Sequence, residues 1–564
     1  MMRQFLRHAI FPLAASTVLL LISGCTSMKE YVHNGFKVGP NYAKPNAEVA
    51  EHWINENDIR VRQGEDLSRW WTVFNDDRLN YLVHHAYRQN LTLKEAGFRV
   101  LAARATLAIA KGGFFPQTQT ANGAYTRSVS DQIFNDTWST GFNLSWELDF
   151  WGRLRRAIAS ADDSLEASVE NYDDVLVTLL GDVATNYVNI RTYQKRIELY
   201  KGNVALQQGV FDYIQQRYTV GYKVDRLDLE QAKSNLRQVE AQIPSLEIGL
   251  QQTENALCVL LGMPPKQIHD LVSTGPIPTA PTEVVIGIPA ELLRRRPDVR
   301  MAERTAAAQA EQIGIAQAKI YPTFSLNGSV GYAADSFKGM FNQDALVGSF
   351  GPSFQWNIFN YGRLINNVRY QDAYFQQLVA TYQQTVLNAN QEVEDGIVTF
   401  VQSRERTRLL DESVEAAQKA VTTVITKLGA GTVDFNRYAT IAQALVTQQD
   451  TDATATGNIA LGLITVYRAM GGGWEIRLNN EPMPELPPED SGVQHNPNDL
   501  PTPISDVLKK SDIKAPKAPD AIPKPQDNVV TPIDSTPAEP ENNKSAAPTP
   551  PPTTKGLMQP EVHP

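Results

Sequence analysis

The chain predicts a mainly α protein with membrane β, organised as an internal two-fold repeat, and three observations carry that expectation. The first is the alternation in "GFNLSWELDFWG", Gly141 to Gly152. Phe142, Leu144, Trp146, Leu148 and Phe150 take one parity, and Asn143, Ser145, Glu147 and Asp149 take the other. Successive side chains of a strand point to opposite faces, so this is a ribbon with one apolar and one polar side. Its length of about nine residues suits a tilted strand crossing hydrocarbon, although a half-buried soluble strand alternates in the same way. The second observation is a pair of very long segments, Leu154 to Tyr218 and Leu364 to Leu428, with no proline and few glycines. At about 1.5 Å per residue, some 60 residues make a helical rod of roughly 90–100 Å. The third is recurrence. "WELDFWGRL" from Trp146 returns as "WNIFNYGRL" from Trp356, and Gly221 in "RYTVGYKVD" returns as Gly431 in "KLGAGTVDF", each 210 positions later. "AKGGFFPQTQTANG" around Pro116 and "AKIYPTFSLNG" around Pro322 keep the same order, and "ALCVLLGMP" corresponds loosely to "ALGLITVYRAMGGGW".

The elements follow in order. Residues 1–24 read as an export signal: Arg3 and Arg7 open it, and Ala9 to Gly24 form an apolar run too short to span a bilayer as a helix. The run ends in Ile22-Ser23-Gly24-Cys25, which resembles a bacterial lipobox. That resemblance implies lipidation of Cys25, and Thr26 in place of an aspartate resembles lipoproteins sent to the outer membrane. Residues 25–76 form a lipid-anchored amino-terminal segment. Residues 77–270 and 285–476 are the two repeats, each read as helix, β-hairpin, long helix and return helix. In the first, a helix over Asp77 to Lys111 stops at a Phe-Pro step, because proline opposes helix continuation. Strands over Gln117 to Ser128 and Thr137 to Phe150 flank the loop "VSDQIFND". In the second, a helix over Pro297 to Lys319 precedes strands over Thr323 to Tyr332 and Leu346 to Ile358, which flank "AADSFKGMFNQDA". After Gly221 and Gly431 the chain turns, and a helix of about 35–40 residues returns, a length read from the spacing of the breakers. The long helices mix Asn, Gln, Tyr and charge with an apolar stripe, so they pack along one seam and wet the other. In length, the two shorter helices of a repeat match one long helix and suit stacking end to end beside it. Residues 477–564 are Pro-, Asp- and Lys-rich with almost no aromatics, the composition of a disordered tail.

Several function classes are excluded on the way. A net charge of −10 argues against a nucleic-acid binder. The chain lacks the phosphate-loop pattern, H-E-x-x-H and C-x-x-C, and the adjacent His84 and His85 cannot share a helix face to bind a metal. No catalytic constellation, cofactor or metal site is expected, and an enzyme is the least favoured reading. With Cys25 lipidated, Cys258 in "NALCVLLG" has no partner for a disulfide and reads as a core residue. No segment after the signal reaches 18 consecutive apolar residues, so any membrane crossing belongs to strands.

Four strands cannot close a barrel, since small transmembrane barrels start at about eight. Hairpins in lipid therefore require two or more copies to pool strands. In that arrangement Asn143, Ser145, Glu147, Asp149, Ser353, Gln355 and Asn357 face a wet lumen, while Trp138, Trp146, Trp151, Trp356 and Tyr361 suit the bilayer interface.

At this point the residues resemble a known family. "VGPNYAKP" (Val38 to Pro45) and "WWTVFNDDRLNYL" (Trp70 to Leu82) are similar to the amino-terminal signature of TolC-like outer-membrane factors, in the branch of outer-membrane efflux lipoproteins. "LLRRRPDVRMAE" (Leu292 to Glu303), "IGIAQAKIYPTFSLNG" (Ile313 to Gly328) and "GGGW" (Gly471 to Trp474) fit as well. The resemblance implies a homotrimer with a 12-stranded transmembrane barrel, four strands per chain, continued by a long α-helical periplasmic barrel. It further implies docking on a periplasmic adaptor and an inner-membrane pump of the RND type, and passive conduction of drugs or toxic solutes. The tip between long and return helices would carry Arg217, Tyr218, Gly221, Asp225, Asp228, Lys427, Gly431, Val433 and Asp434, for adaptor docking and gating. The plain alternative is helix–turn–helix chemistry, with Gly to turn and Asp to cap. One departure stands out: where the family carries an acidic residue before an Ala-Gln pair, this chain has Ile441 before Ala442 and Gln443. Arg294, Arg295 and Arg296 admit an anion site or the approach to a helix opened by Pro297 and Asp298. Two rival functions remain at this stage, a duct for protein secretion in a type I exporter and a lipid-anchored coiled-coil scaffold without a pore.

Overall fold

In the computed structural model the described residues are 28–64, 66–221, 224–286, 292–478 and 482–487. The export signal, Cys25 and the Pro-rich tail from 488 onward lie outside them. All described residues belong to one unit within residues 1–511.

After a short helix α1 (Met28–His33) and a three-residue strand β1 (Val61–Gln63), the first helical arm comes as two helices, not the single one expected over 77–111. These are α2 (Asp77–Gln89) and α3 (Leu91–Gly112), and they break at Asn90. Asn90 closes α2 with ψ 128° and then caps α3, its side chain accepting from the Leu93 N–H at 2.8 Å. Asparagine favours such caps because its short amide competes for backbone groups.

The first hairpin is tighter than its sequence suggests. Strands β2 (Thr118–Ser130) and β3 (Ile133–Leu148) are joined by Asp131 and Gln132 alone. Both have positive φ, 52° and 68°, as the two-residue turn matched to strand twist requires. The expected eight-residue loop is thus mostly strand. Helix α4 (Arg153–Thr219) follows, 67 residues long, or ~100 Å. The return comes as α5 (Arg226–Glu240) and α6 (Gln242–Leu260), divided at Ala241. Pro244 lacks the N–H that would reach the Glu240 carbonyl.

The second half runs through α7 (His269–Val272), β4 (Val284–Ile286), α8 (Leu292–Arg295) and α9 (Pro297–Ala318) to strands β5 (Thr323–Ala334) and β6 (Leu346–Gln355). Helix α10 (Arg363–Gly429) again has 67 residues, and α11 (Phe435–Ala469), which has no proline, returns unbroken over 35. Strands β1 and β4 pair in parallel, a small sheet with no clear mark in the sequence.

The short helices do meet end to end. Asn90 at the start of α3 donates through Nδ2 to the Leu260 carbonyl at the end of α6, at 2.8 Å. Arg296 at the start of α9 donates through Nη1 to the Ala469 carbonyl at the end of α11, also at 2.8 Å. The main core surrounds these junctions and includes Trp70, Trp71, Leu79, Leu180, Tyr187, Phe400 and Tyr467. A second, smaller core lies between α4, α5, α10 and α11 near the tip turns and includes Val210, Ile214, Val421, Phe435 and Tyr438. Cys258 is fully buried, as its neighbours predicted.

Candidate functional site: a two-faced sheet, its anchor and the helical tip

Strands β2, β3, β5 and β6 form one antiparallel sheet in that order, because β3 pairs with β5 and joins the two hairpins. The register sorts most side chains of the sheet by face, with Gln119, Thr140 and the Arg127–Asp136 pair on the apolar parity and Val347 on the polar one as exceptions. Thr120, Asn143, Ser329 and Ser349 lie side by side across the four strands, as do Thr118, Ser145, Asn327 and Gly351. Their side chains form a hydrogen-bonded belt. Asn143 donates to Asn122 at 2.8 Å, Ser145 to Asn327 at 2.8 Å and Asn327 to Ser353 at 2.7 Å, while the Ser329 and Ser349 hydroxyls are 2.8 Å apart. Phe142, Leu144, Trp146, Phe324, Leu326, Val330, Phe350 and Phe354 occupy the opposite parity. Many of them are open to solvent in the single chain: Val330 is 54 % exposed and Phe350 76 %. An apolar face of this kind signals a partner surface or lipid. Among the described residues, the outer edges of β2 (13 residues) and β6 (10 residues) have no partner strand. Such edges are templates for further strands.

Of the seven positions assigned to the polar side, Asn143, Ser145, Glu147, Ser353 and Gln355 share that face. Glu147 is held by Arg153 through Nε at 2.9 Å and Nη2 at 2.6 Å. Asn357 lies past the end of β6. Asp149 does something else: its carboxylate accepts from the Leu154 and Arg155 N–H groups at 2.8 and 3.0 Å and from Arg155 Nε at 3.0 Å, at the start of α4. A carboxylate there satisfies orphan donors and complements the helix dipole. The indoles mark the same level. Trp146 donates to the Phe114 carbonyl, Trp151 to Pro322 and Trp356 to Ile320. Trp138 lies further out, against Tyr125. Tyr361 is fully exposed.

Below the sheet, the amino-terminal segment is strapped onto the helices by two arginines that carried no signal in the sequence. Arg155 donates to the Gly35 and Phe36 carbonyls at 2.6 and 2.7 Å. Arg156 is completely buried. It donates to the Val38 and Gly39 carbonyls at 2.7 and 2.8 Å and to the Glu311 carboxylate on α9 at 2.7 Å. Gly39 has φ 89°, and a Cβ there would sit 2.7 Å from the Gly314 Cα. "VGPNY" is thus a strap seated on α4 and α9, with Tyr42 donating to Glu303 at 3.0 Å. Arg296 belongs to the fold and not to an anion site. Asp298, Glu392 and the Ala469 carbonyl take up its guanidinium.

The seam between α4 and α9 carries a pH response. Burial, chiefly, raises the Asp163 and Asp174 carboxyls to about 6. Neighbouring carboxylates add to this, and Arg304 and Arg296 oppose it. Their ordinary value is 3.8, so between about pH 4 and 6 the folded chain holds more protons than the unfolded one. The penalty for charging them is complete above about pH 6 and fades as pH falls toward 4. The melting temperature of the detergent-extracted protein should therefore rise between pH 7.5 and 5, and the D163N/D174N variant should lose much of that rise. Asp58, held at about 2 by Arg60, acts in the opposite direction only below about pH 4.

At the tip, Gly221 (φ 71°) and Gly431 (φ 69°) take the left-handed conformation that ends a helix. The Thr432 N–H returns to the Lys427 carbonyl and the Gly431 N–H to Leu428. Asp225 caps α5 by accepting from the Asp228 N–H at 2.9 Å, and Asp434 caps α11 through the Arg437 N–H at 3.0 Å. The Asp228 carboxyl is raised, first by burial and then by Asp225 and Asp434, so these three carboxylates sit within electrostatic reach of one another. Arg217 stacks on Tyr213, 5.0 Å from the ring centroid, and its Nη2 lies 4.0 Å from where a Cβ added to Gly431 would stand, so the two tip turns are neighbours. Tyr218 and Lys427 are exposed, and Val433 packs against the tip core. Ile441, at the level of the missing acidic residue, also packs partly against that core. Among the described residues no His, Cys, Asp and Glu side chains converge as a metal site, and no helix is long and apolar enough to cross a membrane.

Comparison with known proteins agrees with this fold. The family model described as outer membrane efflux protein matches residues 82–263 and 288–472. Nodulation protein T of Rhizobium leguminosarum bv. trifolii is 30 % identical over 464 residues, covering 78 % of this chain and 95 % of that protein. The cation efflux system protein CusC of Escherichia coli is 25 % identical over 457 residues, 78 % of this chain and 96 % of that protein. Among solved structures, the outer-membrane channel OprN superposes with a TM-score of 0.73 at 29 % identity, covering 78 % of this chain and 99 % of that one.

Proposed function

The chain belongs to the outer membrane efflux protein family, and from that premise we propose that it is the exit duct of a tripartite efflux system. The observation that carries the proposal is the four-stranded sheet, with a hydrogen-bonded polar belt on one face, exposed apolar side chains on the other and two unpaired edges. A sheet with open edges is excluded from lipid, because unsatisfied backbone groups cost several kcal/mol each, on the order of the penalty for burying an amide. Three copies pooling four strands each close a 12-stranded barrel. The apolar parity then meets lipid and the polar parity lines a wet bore. Two 67-residue helices per chain, each beginning 210 positions apart after a left-handed glycine, support a duplicated unit and a periplasmic helical tunnel below the barrel.

Conduction through such a bore is passive and needs a polar lining and a gate, with no reaction chemistry. Asn143, Ser145, Ser353 and Gln355 belong to the lining; Glu147, tied to Arg153, lies at its lower rim. The tip residues Arg217, Tyr218, Gly221, Asp225, Asp228, Lys427, Gly431, Val433 and Asp434 belong to the entrance, where a periplasmic adaptor and an inner-membrane RND-type pump would deliver solutes. Relatives named for efflux favour solute export over protein secretion. The exposed apolar face of the sheet speaks against a scaffold without a pore. Lipidation at Cys25 and attachment of residues 25–76 to the outer membrane complete the reading.

The test is native mass spectrometry of the mature protein in mild detergent, followed by single-channel recording in planar bilayers. Three copies with lipid on each Cys25 and a discrete conductance are expected. A monomer that remains water-soluble once its anchor is removed would overturn the duct.

A further inference from the structure

Where the two inner strands β3 and β5 meet the helices, an aromatic cluster gathers. Trp151, just after β3, stacks on Tyr321, just before β5, with ring centroids 4.6 Å apart and planes 24° from parallel. Tyr31 of α1 lies against Trp151 at 5.7 Å and against Phe36 at 5.5 Å. The Tyr31 hydroxyl donates to the Phe150 carbonyl at 2.7 Å. Phe150 in turn meets Phe324 at 5.0 Å, and Phe324 meets Phe354 at 6.4 Å, both on the apolar parity of the sheet. The apolar face therefore continues off the strands and onto the amino-terminal segment, where Phe36 is 54 % exposed. Trp151 and Tyr321 adjoin the inner strands, so they stand away from the outer edges of β2 and β6 that further copies would extend.

Two lysines flank this cluster. The stem of Lys37 lies across Gly152, where an added Cβ would stand 2.5 Å from its Cγ, and the neighbouring Val38 N–H donates to the Trp151 carbonyl at 3.1 Å. Lys319 is exposed two residues before Tyr321, in the turn where the Tyr321 N–H returns to the Ala318 carbonyl. Among the described residues no carboxylate is ion-paired with either lysine. The nearby Asp149 is already taken up by Arg155 and by the first N–H groups of α4. Amphipathic rings belong at the headgroup level of a bilayer, and lysines there bury their stems and keep their charge in the polar layer. We propose that Lys37 and Lys319, beside the Trp151–Tyr321 stack, hold the phosphate of an anionic phospholipid in the periplasmic leaflet. A zwitterionic headgroup fits less well, because its own ammonium meets two unmatched positive charges. The inference rests on the reading of the apolar parity as lipid-facing. Lipidation at Cys25, three residues before α1, would put its acyl chains in the same leaflet.

Native mass spectrometry of the mature full-length protein in mild detergent tests this, by titration with phosphatidylglycerol and, separately, phosphatidylethanolamine. Phosphatidylglycerol should bind more tightly than phosphatidylethanolamine. K37Q and K319Q should each weaken phosphatidylglycerol about fivefold, and K37Q/K319Q about thirtyfold, the order expected for one and two lysines at an anionic surface. Phosphatidylethanolamine should bind the parent and the double variant alike. K111Q, at the end of α3 where the chain leads into the edge strand β2, should bind phosphatidylglycerol like the parent. Equal affinity for the two lipids, undiminished phosphatidylglycerol binding in K37Q/K319Q, an equal loss in K111Q, or displacement by an equal concentration of inorganic phosphate would each overturn the site. Subunit number and conductance of the same sample judge the duct separately. A conducting trimer without lysine-dependent phosphatidylglycerol binding overturns this inference alone, whereas a water-soluble monomer overturns the duct and the site with it.

Discussion

Replacing Arg156 by leucine is expected to be among the most damaging single changes in this chain. The guanidinium is completely buried and serves three partners: the Glu311 carboxylate and the carbonyls of Val38 and Gly39. Removing one member of a buried ion pair strands the other charge, which typically costs ~3–5 kcal/mol. Here two strap carbonyls lose their donor as well, each worth about 1–3 kcal/mol when left unsatisfied. Whole domains are stable by only about 5–15 kcal/mol. R156L should accordingly give little folded protein in the membrane fraction, and what is recovered should melt far below the parent. R156L/E311L, which removes the stranded carboxylate, should melt higher than R156L alone. Equal melting of R156L and the parent in a thermal scan would show that the strap does not depend on this residue.

The second large effect sets two neighbouring residues against each other. Val330 lies on the apolar parity of β5, and Ser329 on the polar parity, where its hydroxyl meets Ser349. If the sheet stands in lipid, V330R places a guanidinium against hydrocarbon at a cost of about 2–4 kcal/mol per chain near the bilayer middle. In the proposed trimer, three such charges should sharply reduce the protein in outer-membrane fractions. S329R should leave insertion nearly intact while lowering conductance, because it crowds a wet bore. One residue separates the two variants, so the contrast reads the register directly. Comparable loss of membrane protein from both, or from neither, would argue that the sheet does not separate lipid from water.

The polar belt shows how far sequence alone reached. The parity of Asn143, Ser145 and Glu147 was legible because a strand has a period of two, and any reader of ten residues can recover it. Asp149 has the same parity, yet it sits past the last residue of β3, where the chain bends into α4. There it serves Arg155 and the first helical N–H groups. Nothing in "ELDFWG" distinguishes a last strand residue from a helix cap, because that depends on where the strand stops. The tip turns were legible for a similar reason: Gly431 and Asp434 are local devices for ending one helix and starting the next. The approach of Arg217 to the opposite turn was not, since it concerns residues more than 200 positions apart.

The sequence by itself determined the local periods and the punctuation: two amphipathic hairpins, two proline-free helices of nearly equal length, and breakers at Gly221 and Gly431. These follow from backbone sterics and from the placement of apolar side chains, which act over a few residues. Only the tertiary structure decided that β3 pairs with β5, that Asn90 divides the first arm by reaching Leu260, and that Arg156 closes over the amino-terminal strap. Such choices rest on hydrogen bonds and buried charges between distant segments. A lone Arg or Asn carries the same local preferences whether its partner is water or a carbonyl a hundred residues away, so burial, known only once the chain is folded, makes the difference.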